Sequence, residues 1–299
     1  MLYQRDYYIC NPYTKQFVHI PPSSRCLKEV RVGFICDPYY KEEVDLKQES
    51  NIQVDSDFRF AIVRIVPQLS DQYCSAFKFD AEIFSSEMGR WTQSVVDSPR
   101  DICLDSLDRS GGIAYNGMLY WWSAHDGFII GLDPYYYSSN KHHDYYPAYF
   151  HSIDVPFIPN GYRFSHLSVS QGGRLRFCHF KNGVPVPSVC VWELKDDKGG
   201  QEWCCLTGYI SLRPMVHQSL PYYEWGRHLV DSVVVLAFDP SNDDIFYLQF
   251  FDRVVACNIH EKKFKKTRLS IPCNSVVRFG RAVFPFVLPR WQTPLPRLK

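Results

Sequence analysis

AEIFSSEMGRWTQSVV, Ala81 to Val96, decides the fold. An apolar run closing on Ile83 and Phe84 gives way to Ser85, Ser86, Glu87, Met88 and Gly89, and Trp91 opens a return run. Small polar residues and glycine tolerate the backbone angles of a tight reversal, and an aromatic directly after the turn can pack across onto the outgoing strand. The stretch predicts a β-hairpin.

The same grammar recurs without a fixed period. YYICNPYTKQFVHIP turns at Asn11 to Lys15, and FIIGLDP stops at Asp133-Pro134 with a return strand expected over Tyr149 to Val155. VCVWELKDDKGGQEWCCL turns at a charged Gly-Gly and resumes at Trp203; VVACNIHEKKFKKTRLSI turns at His260 to Lys262. Between these lie more apolar hairpins, which belong nearer a core. Gly112 to Tyr115, Asn116-Gly117, Met118 to Trp122 is the clearest, because Asn-Gly between apolar runs favours a two-residue turn. Leu167 to Ser170 with Leu175 to Phe177, Val233 to Phe238 with Ile245 to Phe250, and Gly33 to Pro38 with Phe58 to Val66 are the others.

Inner hairpin followed by outer hairpin is a four-stranded antiparallel meander, the blade of a β-propeller. The alternation predicts an all-β chain with blades over Val30 to Val96, Gly111 to Pro156, His166 to Ile210 and Val233 to Ile271. The hairpin Tyr7 to Ile20 has no inner partner before it, and Val276 to Pro289 is the expected donor. Five blades follow, or six if a loop conceals strands, with the ring closed by N- and C-terminal strands so that open edges are hidden. No Gly/Ser- or Pro-rich linker divides the chain, so 1–299 reads as a single domain, with an exposed polar insertion over 41–57 and a tail over 290–299.

Composition narrows the function. Aromatics make up 16% of residues and β-branched residues fill the apolar runs, as strands require. A net charge of +1 with interspersed signs argues against holding a nucleic-acid backbone. The basic cluster Lys262, Lys263, Lys265, Lys266 and Arg268 falls on a predicted outer strand, where lysines protect an edge from aggregation. No run is long enough for a membrane helix, no secretory leader is visible, and no Asn-x-Ser/Thr acceptor with a permitted middle residue occurs. Most of the eleven cysteines sit in predicted strands (Cys10, Cys36, Cys178, Cys190 and Cys257 among them), where a reduced thiol acts as a small apolar group. Cytoplasm or nucleus is the expected location.

Catalytic and metal signatures are missing from the sequence. There is no Cys-x-x-Cys pair, Cys204 and Cys205 alternate to opposite faces of a strand, and Cys178 and His179 do the same. His142, His143 and Asp144 lack a second ligand pair, Gly172-Gly173 lacks a phosphate-loop pattern, and Asp243-Asp244 reads as a solvated turn. No cofactor, no metal and no catalytic residue is expected. An enzymatic or carbohydrate-binding propeller with aromatic platforms is the alternative reading, since ligands gathered from several blades would escape these searches.

Taken in order, YYICNPYTKQFVHIPP, AEIFSSEMGRW, IAYNGMLYWW, FIIGLDP, LSVSQGGRLRF, VCVWEL with EWCCL, and VLAFDPSNDDIFYL with VVACNI resemble the C-terminal associated domain of plant F-box proteins, a kelch-like propeller. The resemblance runs from Tyr7 to about Leu269; Met88 stands where that family more often has Thr. It implies a substrate-recognition subunit of a Skp–cullin–F-box ubiquitin ligase, with an unknown target protein held by the propeller. In that family the helical F-box precedes the first NPxT hairpin. Here the NP motif begins at Asn11 and the F-box is missing, so the chain as given is not expected to recruit the ligase, and a Skp-type adaptor is an expected partner only where an F-box lies upstream. Rigid aromatics in loops give contact area at little entropic cost. Tyr135, Tyr136, Tyr137, Tyr145, Tyr146 and Tyr149 in one loop, and Tyr222, Tyr223, Trp225 and Arg227 in a second, are the candidate partner contacts.

Overall fold

A computed structural model describes residues 6–11, 14–25, 30–37, 59–66, 75–104, 107, 111–123, 127–138, 150–156, 162–181, 188–197, 200–217 and 233–270. The insertion 41–57, the donor segment 276–289 and the tail 290–299 lie outside these residues, so ring closure by the terminal strands is not described. Contacts group the chain into two compact units, one holding most of residues 1–152 and the other most of 153–287.

In the first unit, β1 (Tyr7–Asn11) and β2 (Gln16–Ile20) form a two-stranded sheet. β3 (Arg31–Asp37), β4 (Arg59–Val66), β5 (Ser75–Ser85) and β6 (Arg90–Cys103) form a four-stranded meander in chain order. The deciding hairpin is present as read: Ser85 pairs with Arg90, Gly89 takes a φ of 63°, and Phe84 meets Trp91 edge-on at 5.6 Å. It is longer than the sequence suggested. Val96, Ser98 and Ile102 keep one face of β6 buried, and Pro99 is tolerated because β6 is the outer strand of its sheet.

β7 (Ile113–Tyr115), β8 (Met118–Ser123), β9 (Phe128–Leu132) and β10 (Phe150–Asp154) make the next meander. Asn116 and Gly117 both have positive φ, 46° and 75°, the geometry of the tightest hairpin turn. Gly33 of β3 bridges Gly112 in parallel, and both lie under the fully buried Trp121. A Cβ on either glycine would stand 2.6 Å from the indole, so close approach of the two inner strands requires glycine here.

The second unit carries β11 (Tyr162–Val169), β12 (Leu175–Lys181), β13 (Ser188–Asp197) and β14 (Gly200–Cys205), plus β15 (Ile210–Ser211), a short strand the sequence did not suggest. β16 (Val233–Phe238), β17 (Ile245–Phe250), β18 (Arg253–Asn258) and β19 (Lys263–Ser270) complete it. A continuous core joins these two sheets through Phe180, Val189, Val191, Val235, Phe246 and Phe250. The lysine cluster lies on the exposed outermost strand β19 and its preceding turn, as the sequence predicts.

Two short helical turns are present: α1 (Pro134–Ser138), where the sequence predicts a loop, and α2 (Arg213–His217). Asp133 and Ser211 supply side-chain oxygens to the first amides, and proline falls in the first turn of each, where its missing N–H costs nothing.

Gly112→Ala is expected to lower stability by about 1–3 kcal/mol, because the added methyl overpacks Trp121. Urea unfolding followed by tryptophan fluorescence measures this, and an unchanged midpoint would mean that the Trp121 contact is looser than described.

Candidate functional site

In the first unit β3, the start of β4, the Asn116-Gly117 turn and α1 surround an open cleft of about 650 Å3. Ile35 and Cys36 contribute from β3, and Cys36 is exposed rather than packed as a strand cysteine was expected to be. Tyr115 and Met118 contribute from either side of the turn. Arg59, the first residue of β4, lays its guanidinium 4.0 Å from the centre of the Tyr135 ring. That is a cation–π stack, and it fixes both side chains at the cleft wall.

Asp133 positions the stack. Its Oδ1 accepts the backbone N–H groups of Tyr135 at 3.0 Å and Tyr136 at 3.3 Å, capping α1 so that Tyr135 faces Arg59. Among the lining residues Arg59 carries the positive charge and Asp133 the negative one, and the Asp133 oxygen is turned toward the helix amides. The arrangement sets a guanidinium, aromatic surface and a flexible thioether side by side. It suits a side chain laid against aromatic and thioether surface.

Of the residues chosen from sequence, Tyr135 and Tyr136 are half-buried on α1 and Tyr137 is on the same helical turn. Tyr145, Tyr146, Tyr149, Tyr222, Tyr223, Trp225 and Arg227 lie outside the described residues. Arg59 and Cys36 were not selected. Asp133-Pro134 did carry a usable signal, a capping residue followed by proline at the first helical position.

Elsewhere the possible chemistry resolves into structure. Among the described residues no three His, Cys, Asp or Glu side chains gather to hold a metal. The Cys178 thiol donates to the His166 carbonyl at 3.7 Å, while His179 lies on the opposite face beside Phe177, Trp192 and Tyr209. Burial lowers the His179 pKa to about 4. Asp243 is not the solvated turn residue expected from sequence. Its carboxylate accepts the N–H groups of Gln171 at 2.6 Å and Gly172 at 3.3 Å, so the amides of the Gly-Gly turn are taken up by this chain's own carboxylate.

A family model described as F-box protein At3g26010-like, beta-propeller, matches residues 1–277, and the chain belongs to that family. Its fold is a β-propeller of antiparallel four-stranded blades, and the four meanders with the β1–β2 pair are consistent with five. No curated protein matches the chain. Membership makes the chain, in general terms, a protein-interaction module.

His179 makes stability depend on pH. Its folded pKa is depressed, so the unfolded chain binds the extra proton; the stabilising effect is full above about 6.5 and is lost as pH falls toward about 4. His179→Phe should flatten the stability curve across that window by about 1–3 kcal/mol, read from urea midpoints at a series of pH values. An unchanged slope would contradict burial of a neutral imidazole.

Proposed function

We propose that the chain is a non-catalytic recognition module that holds the target of a Skp–cullin–F-box ubiquitin ligase, acting in the cytoplasm or nucleus. The family match over 1–277, joined to a cleft walled by the Arg59–Tyr135 stack, is the observation that carries this reading. Arginine and tyrosine held rigid at a concave surface are the residue types that dominate binding energy when desolvated. A target segment presenting an apolar or aromatic side chain fits the cleft. Tyr136, Tyr137, Tyr145, Tyr146, Tyr149, Tyr222, Tyr223, Trp225 and Arg227 are proposed as further partner contacts.

The test compares wild type with Arg59→Ala and Tyr135→Ala, each first shown to melt as a folded protein, as baits in plant cell extract. At least one protein retained by wild type should fall about ten- to thirty-fold with both variants, the size of a hot-spot loss. The same protein should persist longer in cells depleted of the chain, as a ubiquitination target would. Identical retained sets for all three baits would overturn the cleft as the recognition surface. Retention without any change in target lifetime would overturn the ligase role.

A further inference from the structure

The hydrogen-bonded ladder along β13 breaks at one place. Trp192 pairs with Cys205 at the end of β14, and Val189 pairs with Ile210 in β15, so Cys190 and Val191 confront the longer stretch Leu206 to Tyr209. The Leu206 N–H still reaches the Val191 carbonyl at 2.9 Å, and Gly208 takes a φ of 58° to let the extra residues loop out. Across this break the sulfurs of Cys190 and Cys205 are 3.3 Å apart. Cys190 is buried and Cys205 is exposed. The Gly208 N–H donates to Cys205 Sγ at 3.2 Å, so the exposed sulfur is oriented by a backbone donor as well as by its thiol neighbour.

We propose that Cys190 and Cys205 are a reversible oxidation site, at which a peroxide-class oxidant joins the two thiols in a disulfide that staples β13 to the β14–β15 connection. Cys205 is the sulfur a small oxidant reaches. It attacks a peroxide oxygen, the O–O bond breaks, and Cys205 sulfenic acid forms with release of water. The Cys190 sulfur then attacks the Cys205 sulfur; the S–O bond breaks, and a second water carries away the Cys190 proton. Two thiols lose two electrons and two protons, and hydrogen peroxide takes up both to become two waters. A dithiol reductant reverses the step by exchange.

Geometry and environment support this order. The sulfurs must close to about 2.05 Å, and the end of β14 can move because its ladder has already been interrupted. Burial pushes the Cys190 thiol up, so it is protonated at rest, which leaves Cys205 as the sulfur oxidised first, and the Cys190 proton leaves with the departing hydroxyl as water. Cys204 belongs to the opposite face of β14, and Cys178 to the opposite face of its sheet, so neither competes for the bond.

The experiment exposes the reduced full chain to hydrogen peroxide, blocks remaining thiols with an alkylating agent, and analyses the digest by mass spectrometry. The expected result is loss of two alkylatable thiols and a Cys190–Cys205 linked peptide about 2 Da lighter than its two parts, restored by dithiothreitol. Fragment ions assign the linked sulfur in the wild-type protein, so the decision does not depend on a variant's folding. Cys204→Ser should keep the link and Cys205→Ser should abolish it. A link through any other cysteine would overturn the proposal, as would Cys205 ending as sulfinic or sulfonic acid without a link, or no loss of thiols.

Discussion

A guanidinium and a carboxylate withdrawn from water hold the first unit together. Arg64 of β4 and Glu82 of β5 face each other directly across the ladder, each side chain 1% exposed, and meet at 2.7 Å. Taking either charge out of water alone costs several kcal/mol, and neighbouring segments supply part of the compensation, while Arg64 Nε and Glu82 Oε1 make no hydrogen bond among the described residues. Ser23 donates its hydroxyl to Glu82 at 2.9 Å, and Arg64 donates to the Arg25 carbonyl at 3.2 Å. The guanidinium also lies beside the adjoining rings of Tyr7 and Trp91, 5.7 and 5.6 Å from their centres. Trp91 in turn donates its indole N–H to the Pro21 carbonyl at 2.6 Å. The contacts with Ser23, Arg25, Tyr7 and Pro21 join the sheet β3–β6 to β1 or to the segment that follows β2. Tyr7, Ile20, Phe60, Ile62 and Phe84 close the apolar contact around them.

The second unit solves a related problem with similar parts differently arranged. Arg176 of β12 faces Glu193 of β13 and reaches it at 2.6 Å, and its other nitrogen donates to the Asp243 carbonyl at 2.6 Å. The guanidinium lies over Phe238, so here too one buried pair binds its own sheet and the next. Trp203 plays the part of Trp91, donating to the Asp154 carbonyl at 2.7 Å. Yet Trp91 shares a sheet face with Arg64, whereas Trp203 and Arg176 belong to opposite faces. The tryptophan contact is therefore common to both meanders, and the ion pair has been placed wherever a buried face needed polar cross-linking. A buried pair of this kind adds little net stability over apolar packing, but removing one partner leaves the other charge stranded and is strongly destabilising.

Sequence reading recovered what is local. Asn116-Gly117, the Ser85 to Gly89 turn and the alternation around them report their own backbone geometry within a few residues, so hairpins and meanders were legible. Partners distant along the chain were not. Asp243 looked like a solvated turn because the amides it binds are 72 and 71 residues away. Arg59 gave no signal at all, since a strand-opening arginine becomes a cleft residue only when α1 brings Tyr135 under it. The two strand-end thiols were hidden for another reason. An unbroken ladder would have kept the Leu206 to Tyr209 segment in register, and only the bulge sets Cys190 beside Cys205. The short helices were missed because a single turn has no period to detect.

Hydrogen exchange in Glu82→Ala tests the central role of the buried pair most directly. Removing the carboxylate strands the Arg64 charge and should cost about 3–5 kcal/mol. Amides of β1 and β2 should lose protection together with those of β4 and β5, because the Ser23, Tyr7 and Trp91 contacts all depend on the same pair. If β1 and β2 keep their wild-type protection while β4 and β5 lose theirs, the hairpin is held by apolar packing alone and the account is wrong.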